Sequence, residues 1–158
     1  MREAISLEDV TAAEVPELVA ALRAAGLPAD DVTVPGQRVF RARHDRGGNG
    51  GGGERASSLG FVGLEPCGPD AVLRSLVVPA PLRGRGIGTA IVEAALRRAA
   101  ALGFRRLFVL TTAAPGFFEK LGFERIDRGS VPVAVAETAA FAKLCPPTAV
   151  CLTRSVAA

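Results

Sequence analysis

Apolar residues recur along the chain with two periods, and each period marks a kind of element. From Thr11 onward Val15, Leu18, Val19 and Leu22 fall at helical spacing, behind a T-x-x-E capping box of Thr11 and Glu14. Gly26 and then Pro28 predict the end of that helix. "RVFRAR" (38–43) alternates polar and apolar as a half-buried strand does, and "SLGFVGLE" (58–65) reads as a second strand. "AVLRSLVV" (71–78) is a more apolar, buried strand, followed by a turn with Pro79 and Pro81. The next helix is predicted over about 86–102, with Ile87, Ile91, Ala94, Ala95 and Leu102 on its apolar side and Gly103 as its stop. "RRLFVLTT" (105–112) is another buried strand; "PGFFEKLGF" (115–123) is a short helix with a glycine stop, and "FERID" a strand. "VPVAVAETAAFAKL" (131–144) reads as one helix with Pro132 in its first turn, and "TAVCLTRS" (148–155) as the closing strand. Strand, helix and strand over 71–112 predict a parallel pair joined by a right-handed crossover. The remaining strands suit antiparallel pairing, so the class is mixed α/β.

Composition adds limits. A chain of 158 residues is expected to form one domain, 1–158, large enough for its own core. Apolar residues make up 49%, which argues for a globular fold. The tract "GGNGGGG" holds six glycines in seven positions, so 46–53 is expected to be a flexible hairpin loop. Net charge is +3, and the cations are almost all arginine, the only lysines being Lys120 and Lys143. Arginine suits phosphate and carboxylate ligands, although an arginine-favouring genome accounts for most of them equally well. So mild a charge, without interleaved aromatics, argues against nucleic-acid binding. Cys67, Cys145 and Cys151 form no CxxC pair or metal set and read as reduced thiols. "MREAISLEDV" lacks a secretory apolar core, and no apolar run approaches the roughly 20 residues that span a membrane. A soluble, cytoplasmic protein without membrane partners is the expectation.

The glycine turn "RGRGIG" (83–88) lies between a strand and a helix, where backbone N–H groups and a helix N-terminus together favour an anion, phosphate above all. It is not a Walker A loop, because the lysine is missing. It is not a dinucleotide fingerprint either, because the third glycine position after Gly84 and Gly86 is Thr89. A turn that merely packs helix on sheet also stays open. The pattern R-x-x-G-x-G (Arg83, Gly86, Gly88) after "LVVPAPL", with "FFEKLGF" (117–123) beyond the next strand, resembles the GNAT superfamily of N-acetyltransferases.

That resemblance implies a mixed, mostly antiparallel sheet with a central parallel strand pair, flanked by helices. It also implies acetyl-CoA as cofactor and transfer to the amine of a small molecule by direct attack in a ternary complex. Backbone amides of Leu76, Val77 and Val78 would contact pantetheine and the thioester. Amides of Arg83, Gly84, Arg85, Gly86, Ile87, Gly88 and Thr89 would bind the pyrophosphate. Phe117 and Phe118 would line the acyl channel, with helix packing as the other reading. Arg74, Ser75, Thr111 and Thr112 are expected on the acceptor's side. Glu65, at the end of "GFVGLE", is the candidate base, or else an ordinary strand-end charge. Arg74 is a charge in an apolar strand and needs a partner, either a substrate carboxylate or a protein acid. "LRSL" is similar to amino-acid N-acetyltransferases, and "TTAAPGFFEKLGFERIDR" with "ETAAFAKLCPPTAVCL" resembles an arsenic-resistance-associated branch.

The family's usual tyrosine proton donor aligns with Phe118, and the chain contains no tyrosine. General-acid help is worth ~10²–10⁴-fold, or roughly 3–5 kcal/mol. Cys145, Ser130, Thr112, water and the acceptor's own ammonium proton remain as substitutes. A non-catalytic acyl-CoA-binding module is the second function, and a homodimer stays open.

Overall fold

The computed structural model describes residues 5–32, 36–44, 58–144 and 148–156, with the side chains of 143 and 144 left aside. The glycine tract 46–53 and Cys145 lie outside the described residues. In chain order the elements are β1 (Ile5–Asp9), α1 (Val15–Ala24), β2 (Arg38–His44), β3 (Ser58–Cys67) and β4 (Asp70–Val77). There follow α2 (Ile87–Ala101), β5 (Arg106–Thr111), α3 (Pro115–Lys120), β6 (Glu124–Ile126), α4 (Val133–Ala136) and β7 (Val150–Ser155). The strands form one seven-stranded sheet in the order β1-β2-β3-β4-β5-β7-β6. β4 and β5 pair in parallel, Ala71 opposite Leu107 and Val72 opposite Phe108. β1–β2, β5–β7 and β6–β7 are antiparallel. The expected mixed α/β sheet with one parallel pair is therefore the observed one.

The residues group into two compact units, Met1–Gly63 with Ser75–Ala95, and Leu64–Arg74 with Leu96–Ala158. In the first, Leu18 and Leu22 of α1 pack with Ala29, Val32, Phe61 and Val77. The capping box forms: Glu14 Oε1 accepts from the Thr11 N–H and the Thr11 hydroxyl, both at 3.0 Å. Its first turn, Ala12–Glu14, is 3₁₀ before α1 begins. Arg41 of β2 is 3% exposed, ion-paired to Glu14 and Glu17, and stands 4.7 Å over the Phe61 ring. A guanidinium at that depth is tolerable because two carboxylates and a ring face replace its water.

In the second unit, Cys67, Val72, Phe108, Val135, Ala140, Phe141 and Cys151 form a core. The predicted helix over 131–144 is broken: α4 spans four residues, and after Thr138 comes a single π-helical turn, Ala140–Leu144. Leu102 lies past the end of α2 and is 37% exposed, not on its apolar side.

Candidate functional site

Within the first unit, the end of β4 and the turn after it carry several backbone constraints. Ser75 has φ 58°, the only non-glycine residue with positive φ among those described. A non-glycine residue held there stores roughly 1–3 kcal/mol, the kind of strain that collects at functional sites. Gly60 of β3 faces the same stretch at φ 142°; a Cβ on it would lie 2.2 Å from the Val77 carbonyl oxygen and 3.3 Å from Ile91 Cδ1. Only glycine lets the two backbones approach that closely. Leu76 and Val78 are half-buried, while Val77 is buried.

Past Pro79 a 3₁₀ turn, Ala80–Leu82, leads to Arg83, whose Nε donates to the Val78 carbonyl at 2.9 Å. The side chain of Arg83 thus braces the strand end, a role its place in the glycine turn did not suggest. Gly84 and Gly86 have φ 81° and 79°, with nothing within 4 Å of where a Cβ would stand. Arg83, Gly84, Arg85 and Gly86 are exposed, and Gly88 and Thr89 half-exposed. Ile87 is buried and opens α2, a helix of 15 residues. The first N–H groups of a helix have no intrahelical acceptor and carry its positive pole. An open, left-handed glycine turn running into such a terminus fits a pyrophosphate.

Within the second unit, Glu65 and Arg74 meet. Arg74 Nη1 donates to Glu65 Oε1 at 3.1 Å, with the side chains 8% and 12% exposed. Glu65 Oε2 accepts from the Ala139 N–H at 3.0 Å. The pair lies nine residues apart across the two-residue turn Gly68–Pro69. That hairpin signal was present in the sequence; the Ala139 contact had none. The Thr111 hydroxyl accepts from the Ala114 N–H at 3.0 Å and thereby shapes the entry to α3. Thr112 is exposed.

α3 stops with a Schellman motif. The Phe123 N–H donates to the Phe118 carbonyl at 3.1 Å and the Gly122 N–H to Glu119 at 3.1 Å. The rings of Phe118 and Phe123 close it edge to face at 5.4 Å, and Phe117 meets Phe118 at 5.0 Å. Phe118 is 5% exposed, whereas Phe117 is half-buried. Cys67 and Cys151 are buried thiols, pushed up by desolvation to about 12 and about 11. Among the described residues no cluster of acidic, histidine or cysteine side chains could hold a metal ion.

A family model for the acetyltransferase (GNAT) domain matches residues 35–125. Among solved structures, the chain is similar to N-acetylglutamate synthase from Neisseria gonorrhoeae complexed with coenzyme A and L-arginine, with TM-score 0.73 and 17% identity. That match covers 99% of this chain but only 34% of the synthase, so this chain spans about a third of it. A GNAT-family acetyltransferase from Staphylococcus aureus Mu50 matches with TM-score 0.72 and 16% identity over 97% of this chain and 99% of that one. An aminoglycoside 6′-N-acetyltransferase complexed with coenzyme A matches with TM-score 0.65 and 17% identity, covering 96% of each.

Proposed function

Because the chain belongs to the GNAT acetyltransferases, we propose that it is an acetyl-CoA-dependent N-acetyltransferase whose acceptor is a small acidic amine, an amino acid or a close analogue. The observation that carries the cofactor half is the open turn at Gly84 and Gly86 running into α2. Amides from Arg83 to Thr89 hold the pyrophosphate there. Amides of Leu76, Val77 and Val78, kept in place by Ser75, Gly60 and the Arg83 brace, hold the pantetheine arm and orient the thioester. Acetyl-CoA supplies an activated acetyl group, whose C–S bond breaks as the acceptor nitrogen bonds the carbonyl carbon. The half-buried Phe117 is assigned to the wall of the acyl channel. Alignment of the two reactants provides much of the rate.

The acceptor half rests on Arg74, a guanidinium inside an apolar strand directly before Ser75. An acidic acceptor would present its carboxylate there, joined by Thr111 and Thr112. The resemblance to the arsenic-resistance branch narrows the proposal to amino-acid-like arsenicals as one acceptor class, in the cytoplasm. The buried, protonated thiols take no part in that chemistry.

A thiol-release assay with acetyl-CoA, a panel of amino acids and amine-bearing arsenicals tests the proposal. Faster release with acidic amines than with their amides is expected. One observation favours a second reading, a non-catalytic acyl-CoA-binding module: the buried Phe118 brings no proton donor. Tight acetyl-CoA binding without release across the panel would establish that reading instead.

A further inference from the structure

The acceptor half of the proposed function leaves Glu65 without an assigned task, and its surroundings supply one. A general base needs an oxygen directed at the amine or at a water between them. Each Glu65 oxygen already has a donor: Oε1 takes the Arg74 guanidinium and Oε2 the Ala139 N–H. The ion pair is largely out of water, where a guanidinium without an anion is costly. Arg74 therefore carries a built-in carboxylate in the position that an acceptor's carboxylate would compete for.

The geometry points to Glu65 as the internal counter-ion of the acceptor site: a positioning and specificity-determining residue that holds Arg74 until the acid group of an amine acceptor takes the guanidinium. It rests on the acidic-acceptor reading above. Glu65 also fixes Ala139, directly before the π-helical turn at Ala140, through a neutral donor that does not depend on charge. The incoming acid group takes the guanidinium while the displaced Glu65 carboxylate keeps only the Ala139 N–H, so the exchange adds one negative charge to the site, and that added charge is what Glu65 costs the acceptor. A neutral acceptor has nothing to offer in that exchange and leaves the internal pair closed. No proton moves through Glu65 in this role.

Glu65→Gln separates positioning from base catalysis. Glutamine keeps an acceptor oxygen for Ala139 and loses the charge that competes for Arg74. The expected result is a KM for the acidic acceptor lowered by about tenfold, the factor for one modest charge-assisted hydrogen bond. The KM for acetyl-CoA stays the same, the acidic limb of the kcat–pH profile stays in place, and selectivity for the acid over its amide rises. A kcat reduced a hundredfold or more with the acidic limb gone makes Glu65 the base and overturns the inference. An acceptor KM that is unchanged or raised also overturns it, while transfer by the wild type leaves the acidic-acceptor reading standing. Wild-type protein that acetylates no acidic amine sinks both. Should Glu65→Gln fail to fold, Glu65→Asp keeps the charge but shortens its reach, and it too must lower the acceptor KM.

Discussion

Gly60→Ala places one methyl group where the approach of β3 to β4 leaves no room. The new Cβ would stand 2.2 Å from the Val77 carbonyl oxygen, 3.2 Å from the Val77 carbonyl carbon and 3.3 Å from Ile91 Cδ1. Relief to ordinary contact needs a shift of about 1 Å, against a strand spacing of about 4.8 Å. Both close atoms of Val77 are backbone, so no side chain can turn aside. Alanine at φ 142° adds about 1–3 kcal/mol of backbone strain, and overpacking adds about 1–3 kcal/mol. The sum, about 2–6 kcal/mol, is a large share of the ~5–15 kcal/mol that holds a domain together. At about 2–4 °C per kcal/mol for a chain of this size, Tm should fall by about 4–24 °C. Relief that displaces the Val77 backbone should lower coenzyme A affinity as well, beyond what loss of folded protein explains. The assays are urea unfolding and calorimetric titration with coenzyme A below the new midpoint. Gly116→Ala, on α3 with nothing within 4 Å of its Cβ, is the control and should be neutral or slightly stabilising. A Gly60→Ala protein within about 0.5 kcal/mol of wild type, with unchanged coenzyme A affinity, would refute the close-approach argument.

Phe118→Tyr puts a hydroxyl into a packed ring cluster; about 1–2 kcal/mol of lost stability and no faster thiol release are expected. Faster release would show that the hydroxyl reaches the sulfur and that proton donation limits the native protein. With Cys145→Ser as background, Cys67 and Cys151 should react with iodoacetamide at pH ~8 about two to three orders of magnitude more slowly than a free thiol, because burial pushes them up to about 12 and about 11. Ordinary reactivity in the folded protein would contradict their burial. Glu14 is held below the usual carboxylate range by the Thr11 N–H, and Glu17 by the Arg41 side chain. Their contribution is complete above the unfolded carboxylate pKa and is lost as pH falls through the depressed folded values. The stability gap between wild type and a Glu14→Gln/Glu17→Gln variant, read by urea unfolding, should therefore shrink from neutral pH to about pH 3, and a constant gap would contradict the assignment.

The sequence was most legible where local signals agreed. The apolar run of β4, the helical period of α2 and the apolar run of β5 each marked their element. The crossover between the two strands implied the parallel pair. β1 escaped notice because "ISLED" offers only Ile5 and Leu7 as a period-two signal; its pairing with β2 from Ile5↔His44 to Asp9↔Phe40 supplies the rest. The segment 131–144 misled for a local reason. The Thr138 hydroxyl donates to the Val135 carbonyl at 2.7 Å and accepts from the Phe141 N–H, diverting the backbone from a continuous ladder. Glu65 and Arg74 were each visible as charges, and the Gly68–Pro69 turn held the register that pairs them, but the Ala139 contact comes from 74 residues away with no local signal.

Phe118 shows how a motif can carry two meanings. "FFEKLGF" reads as an acetyltransferase signature, and it is also a helix stop in which Phe118 supplies both the accepting carbonyl and the ring that packs on Phe123. That packing uses the ring and leaves a para hydroxyl without a structural task, so its loss spares the fold. The chemistry sets the size of what is missing. An acceptor that enters as an ammonium ion sheds two protons on becoming an amide, and the departing thiolate needs only one. A thiol with pKa ~8.5 is also a tolerable leaving group near neutrality without prior protonation. The absent acid therefore limits the rate by at most the ~10²–10⁴-fold of general-acid catalysis. On the proposed function, binding and alignment by the β4 strand end and the glycine turn would remain in place for an enzyme that does without it.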